Sequence, residues 1–347
     1  MQVAAAPRHR SPHDASRLQT LHNPIPAALA GPSRALQQSM EEPALVLDNL
    51  RKTFGSFTAV DGVSLTVPQG SVYGFLGPNG AGKTTTIRMA LSIYQPTSGS
   101  IRILGKSSAL DVRNRIGYLP EERGLYKKMR ARDIIAYFAS LKGMATAAAR
   151  QRADELLERY GLAEFASYRC EALSKGMGQK VQVLATIAHA PEFVILDEPF
   201  SGLDPVNQQV LEDLIDDLRR EGTTIIFSTH IMEHAERLCD RLVLIAKGRA
   251  VFDGTLAEAR RLIPRRILLR TSGAAERLRE VAGVVGIERL ADDQFELTLT
   301  EDGEPDAVLA ACFQNGLPLL AFDRSEPTLR DVFLRLVGPE EAAEVLA

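Results

Sequence analysis

The chain has 347 residues, 45% hydrophobic and 24% charged, with a formal net charge of −3. That length allows about two domains of ~100–200 residues, and the composition excludes collagen, coiled coils and disulfide scaffolds. No run approaches the ~18 uninterrupted apolar residues of a membrane span, and the slightly acidic balance argues against nucleic-acid binding through overall basicity, so no nucleic-acid partner is expected. Cys170, Cys239 and Cys312 lie far apart, without CxxC spacing. Neither a disulfide framework nor a zinc ribbon is suggested, and a reducing compartment is the default.

Residues 1–40 hold five prolines and eight alanines, and four arginines there face one acid, Asp14. They lack apolar periodicity and are expected to be disordered. Three readings of this arm stay open. Met40, followed by two acids and a strand-like run at 44–47, is the true start; the arm is a real disordered extension; or its Arg-rich, acid-poor composition marks a transit peptide.

From 45 to about 254 strands and helices alternate. Gly70-Ser71 leads into the apolar run 72–76, a Gly-rich turn and a helical stretch from Lys83. Pro191 precedes the apolar run 193–196. Residues 206–221 read as a helix, with Val210, Leu211, Leu214, Ile215 and Leu218 at 3–4 spacing and Gly222 closing it. Residues 224–228 form a third buried strand, and 241–246 and 249–252 flank the hairpin turn Lys247-Gly248. Buried strands alternating with helices indicate an α/β sheet, largely parallel. Between 121 and 189 the strand signal vanishes and 147–160 is helical, so about 121–190 reads as a helical insertion.

Ile263-Pro264-Arg265-Arg266 reads as a boundary between a first domain, 41–262, and a second, 263–347. Beyond it come a strand (267–270), a helix (274–281), strands (284–290 and 295–300), a helix (306–315) and a strand (317–322). This βαββαβ order is ferredoxin-like, a small α+β domain. A last helix, 329–337, ends before Gly338-Pro339. No catalytic constellation is visible in this domain.

Gly77-Pro78-Asn79-Gly80-Ala81-Gly82-Lys83-Thr84, followed by Thr85, fits the phosphate-loop pattern GxxxxGK[ST] between a strand and a helix. Its glycines let backbone N–H groups converge on phosphate oxygens at a helix N-terminus. Lys83 should reach the β- and γ-phosphates, and Thr84 should bind Mg²⁺. The strand 193–196 runs into Asp197-Glu198. Read alone, two such acids could be a solvated strand end. Downstream of a phosphate loop, Asp197 would hold Mg²⁺ through water, and Glu198 would orient and deprotonate the attacking water. Ser174 stands at an N-cap position, and Gly176 and Gly178 in the first turn leave backbone N–H groups accessible to an anion.

Over 45–254 these motifs, in their order and spacing, resemble the nucleotide-binding subunit of ABC transporters. Glu198 continues into Pro199-Phe200-Ser201-Gly202-Leu203-Asp204, similar to the family's Walker B and D-loop, and Phe227-Ser228-Thr229-His230 resembles its H-loop. Leu173–Gln179 stands at the signature, and Phe54 matches the aromatic that stacks on adenine. The resemblance implies ATP and Mg²⁺ as cofactors, ATP hydrolysis with Glu198, His230 and Lys83 catalytic, and Ser174, Gly176 and Asp204 at the nucleotide. It implies a head-to-tail dimer with a second ATPase subunit, identical or not. It also implies a separate transmembrane permease docked near 121–132, placing the chain at the cytoplasmic face of the bacterial plasma membrane. The second domain resembles the accessory domain of ABC-2-type exporter ATPases, whose ending Ser325-Glu326-Pro327-Thr328-Leu329-Arg330-Asp331-Val332-Phe333 is similar to, so export is the expected direction.

Three departures from the pattern stand out, the first at two signature positions. Lys175 and Met177 replace signature residues, Glu121 stands at the Q-loop glutamine, where it would face nucleotide and metal, and His234 stands where an acid is more usual. A soluble ABC ATPase without a transporter and a non-hydrolysing regulator are the rival readings. His230-Ile231-Met232-Glu233-His234 also spells HxxEH, a zinc-peptidase pattern. The basic run 127–132 reads as a solvated face or as a contact for a partner or anionic lipid.

Overall fold

In the computed structural model the described residues are 42–338, without 123 and 301. The arm 1–40, expected to be disordered, lies outside them. In chain order the first elements are β1 (Leu45–Phe54), β2 (Phe57–Val67), β3 (Val72–Leu76), α1 (Lys83–Ala90), β4 (Ser98–Ile103) and β5 (Ile116–Leu119). The helices α2 (Ala131–Leu141), α3 (Thr146–Arg159) and α4 (Lys175–Ile187) follow, then β6 (Phe193–Asp197), α5 (Pro205–Arg220), β7 (Thr224–Thr229), α6 (Met232–Leu238), β8 (Arg241–Ala246), β9 (Arg249–Gly254) and α7 (Leu256–Arg260).

The central sheet has the order β5-β6-β7-β3-β8-β9, with only β9 antiparallel to its neighbour. Its inner strands β3, β6 and β7 are buried at every position, because both faces are covered, which is why they read as unbroken apolar runs. On one face lies a core that includes Tyr73, Phe75, Ile87, Ile195 and Ile226. Part of its cover is a second sheet, β2-β1-β4, antiparallel throughout. The largely parallel sheet expected from the sequence is therefore only part of the first domain. On the other face Leu196, Phe227 and Leu244 pack with α2–α6. The expected helical insertion is α2, α3 and α4 with short 3₁₀ turns between the last two.

The remaining elements are β10 (Arg266–Thr271), β11 (Val284–Ala291), β12 (Gln294–Leu299), α8 (Pro305–Gln314), β13 (Leu319–Ser325) and α9 (Leu329–Val337). The sheet β11-β12-β10-β13 is antiparallel, the strand order of the ferredoxin-like arrangement. The helix expected over 274–281 is a 3₁₀ turn, Ala275–Glu280. Only Ala275 and Leu278 are buried in it, and that spacing of three is the 3₁₀ repeat rather than the α one. Leu329, Val332 and Phe333 of α9 join the core that holds Met232, Ala235 and Leu238 of α6.

Candidate active site

The parallel register brings three strand ends together, since Leu76 pairs with Thr229 and Asp197 with Ser228. The residues just beyond them are Gly77, Glu198 and His230, at the carboxyl edge where open α/β sheets bind ligands. Gly82 has φ +105°, and a Cβ there would lie 2.6 Å from the Ala59 carbonyl oxygen. Glycine is required because β2 presses on the phosphate loop. At Gly77 a Cβ would collide with the Ile245 carbonyl oxygen. Asn79 and Gly80 at the loop tip are exposed, whereas Pro78, Ala81 and Lys83 are buried and Thr84 and Thr85 are half-buried.

Lys83 Nζ donates to the carbonyls of Gly77 (2.5 Å) and Pro78 (3.0 Å) and lies 3.4 Å from Glu198 Oε1. Burial pulls its ammonium below the usual lysine range, against the opposing pull of Glu198, Asp197 and Glu121. Thr84 Oγ1 donates to Asp197 Oδ1 at 3.2 Å, and the Ser228 hydroxyl donates to the same oxygen. Burial raises the Asp197 carboxyl, held back by those two hydroxyls. Its Oδ2 is buried without a hydrogen bond, a cost that native structures avoid unless a ligand, ion or water meets the atom. Glu198 is 6% exposed. Its Oε2 lies 3.0 Å from His230 Nδ1, within hydrogen-bonding reach.

Ser174, Gly176 and Asp204 gather elsewhere in the chain. Ser174 caps α4 by accepting from the Met177 amide at 3.2 Å. Asp204 caps α5 and accepts from Asn207 N (2.9 Å) and Nδ2 (2.6 Å). A Cβ at Gly176 would come within 2.5 Å of that same Asn207 Nδ2. Asn207 thus joins the start of α4 to the start of α5. Phe54 ends β1, 46% exposed, with its ring edge-on to Tyr94 at 5.6 Å and Lys52 Nζ 5.0 Å from its centroid. Glu121 is exposed on the segment after β5.

Residues 60–201 match the family described as ABC transporter, and residues 254–337 match the C-terminal domain described as that of DrrA1-3-like ATP-binding proteins. The chain is 40% identical over 295 residues to the uncharacterized ABC transporter ATP-binding protein YhaQ of Bacillus subtilis (strain 168), covering 85% of this chain and 98% of that protein. It is 31% identical over 336 residues to the daunorubicin/doxorubicin resistance ATP-binding protein DrrA of Streptomyces peucetius, covering 90% of this chain and 97% of DrrA. The chain belongs to the ABC transporter ATP-binding family. It binds and hydrolyses ATP and powers a transporter. A solved ATP-binding subunit of an ABC transporter superposes with a TM-score of 0.59 at 32% identity, over 63% of this chain and 92% of that one.

In this ATP-binding subunit the signature departure Lys175 extends across Gly202, where a Cβ would collide with its ammonium. The zinc reading of HxxEH fails. His230 turns to Glu198, while His234 is buried against Phe200, and no group of three or more His, Cys, Asp or Glu able to hold a metal exists among the described residues. Sequence reasoning named Ser228 only as part of the H-loop and missed its own role: it also accepts from the Glu198 amide at 3.1 Å. Its one signal was a hydroxyl beside an apolar strand end. It likewise named Gln179 only as the end of the signature stretch; its Nε2 donates to the Pro199 carbonyl at 3.2 Å and ties α4 to the acidic loop.

Proposed function

We propose that two such chains close head to tail around ATP, the phosphate loop of each meeting Ser174 and Gly176 of the other. The observation that carries this reading is the division of the site. Lys83, Thr84, Asp197, Glu198 and His230 form one cluster, and Ser174, Gly176 and Asp204 form a second around Asn207. A nucleotide in one cluster alone would leave the α4 N-terminus, which favours anions, without its phosphate. The backbone N–H groups from Gly77 to Thr85 would cradle the phosphates, with Lys83 released from its own loop carbonyls onto them. Phe54 would stack on the adenine.

Thr84 and Asp197 would hold Mg²⁺, Asp197 through water, and the unpartnered Asp197 Oδ2 fits that role. The bound cation would neutralise phosphate charge. Glu121 would approach it from the segment after β5. Glu198 would take the proton of the attacking water while His230 fixes the carboxylate.

The permease is a separate chain in this reading, because no helix among the described residues is long and apolar enough to cross a membrane. A cavity of about 410 Å³ between β5, α2 and α4, with Leu125, Phe138, Gln182 and His189 in its wall, supports docking near 121–132. Through that contact the subunit would sit at the cytoplasmic face of the bacterial plasma membrane. The similarity to DrrA and its C-terminal domain favours export. Glu198→Gln tests the catalytic assignment. ATP binding should persist while hydrolysis slows by at least about 10²-fold, and turnover near the wild-type rate would remove Glu198 from the role.

A further inference from the structure

Glu198 leaves β6 with φ +48°, a left-handed conformation that a side-chain-bearing residue keeps only where its surroundings hold it. Its amide is fixed by Ser228. Two residues on, Phe200 is 2% exposed and lies face to face with the His234 imidazole, ring centroids 4.1 Å apart and planes at 13°. Phe227 is edge-on to Phe200, the ring centroids 5.9 Å apart. His234 is 3% exposed. Glu212 Oε1 of α5 and Arg237 Nη2 of α6 lie 3.4 and 3.2 Å from its Nδ1 and pair with each other at 2.5 Å. Glu233 also acts on it through charge.

His230, just after β7, and His234, on α6, both reach the segment 198–200, the first at the carboxylate and the second at Phe200. A carboxylate side chain at position 234 could not stack on the Phe200 ring; an imidazole can. We infer that His234 is a positioning residue that holds Glu198 in its left-handed conformation through the ring contact with Phe200. The inference rests on the assignment of Glu198 as the base.

The test is steady-state ATPase kinetics of the full chain carrying His234→Ala, His234→Phe or Phe200→Leu, with His234→Ala repeated in Glu198→Gln. His234→Ala should lower kcat by about tenfold while KM for ATP changes by less than about threefold. His234→Phe keeps a flat ring on Phe200 and leaves Glu212 paired with Arg237, so it should recover kcat to within about threefold of wild type. Phe200→Leu fills the space without a ring face and should be as slow as His234→Ala. In Glu198→Gln, His234→Ala should cost nothing further.

The inference is overturned if His234→Ala keeps kcat within about twofold, if His234→Phe is as slow as His234→Ala, or if the losses multiply in Glu198→Gln. Should His234→Ala not fold, Phe200→Leu against His234→Phe decides, and wild-type kcat in Phe200→Leu overturns it. Normal turnover in Glu198→Gln would instead remove the underlying assignment of the base. A slow Glu198→Gln beside an unaffected His234→Ala removes the positioning role alone.

Discussion

Glu236 Oε1 accepts the backbone N–H of Leu329 at 2.5 Å. Glu236 sits on α6, the helix directly after His230, and Leu329 begins α9, the last described helix of the chain. Arg260 of α7 pairs with Glu236 at 3.5 Å and with Glu326 at 2.6 Å. The end of the accessory region is thereby fastened to the helix that follows His230.

That fastening carries a stability prediction. Leu329, Val332 and Phe333 are all 0% exposed, in the same core as Met232, Ala235 and Leu238. Phe333→Ala should destabilise the ATPase domain by about 3–5 kcal/mol, the range for emptying a buried aromatic site. Denaturant unfolding followed by ATP-binding competence checks this. A change below about 1 kcal/mol would mean that α9 does not contribute to that core.

The parts of the fold and site that could be read from the sequence are those whose chemistry is local. The phosphate loop needs its glycines, Lys83 and Thr84 at fixed spacing, and Asp197-Glu198 follow a strand too apolar to misread. The sheet β2-β1-β4 was not legible beyond 44–47. Its strand β4 reads Ser-Gly-Ser-Ile-Arg-Ile and is mostly exposed, and its pairing with β1 spans about fifty residues of sequence that no local pattern encodes. The contacts of Asn207 with Gly176 and of Phe200 with His234 were illegible for the same reason. Each joins residues from different elements, and neither residue type announces its partner.

A pH dependence follows from His189. Burial, with Lys142 nearby, pulls its imidazole from 6.5 to about 4, against a contact to the Ile116 carbonyl that works the other way. In the unfolded chain the ring titrates near ~6.5. Between about 6.5 and about 4 the unfolded chain therefore binds a proton that the folded chain refuses, so stability is full above that window and falls as pH drops through it. His189→Leu removes the proton site. From pH 7 to pH 5 the urea midpoint of wild type should fall more than that of the variant; parallel falls would show that the folded chain takes up the His189 proton as readily as the unfolded chain does.

Glu121 should reveal itself in metal dependence. A carboxylate beside a polyphosphate is repelled by about 4 kcal/mol at ~4 Å and an effective dielectric of ~20 unless a cation faces it. With Mg²⁺ between them, Glu121→Gln should need more Mg²⁺ for half-maximal ATPase rate. Superimposed Mg²⁺ titrations of the two proteins would take Glu121 away from the metal.

The head-to-tail composite site is the central claim, and gel filtration of two variants with ATP and Mg²⁺ tests it most directly. Glu198→Gln should bind ATP, fail to hydrolyse it and elute as a dimer. Adding Ser174→Arg places a bulky cation where the second chain's phosphate must enter, while the phosphate loop of its own chain is untouched. The double variant should still bind ATP through its own phosphate loop, more weakly for want of the second chain's contact, yet elute as a monomer. A double variant that still elutes as an ATP-dependent dimer would contradict the composite site.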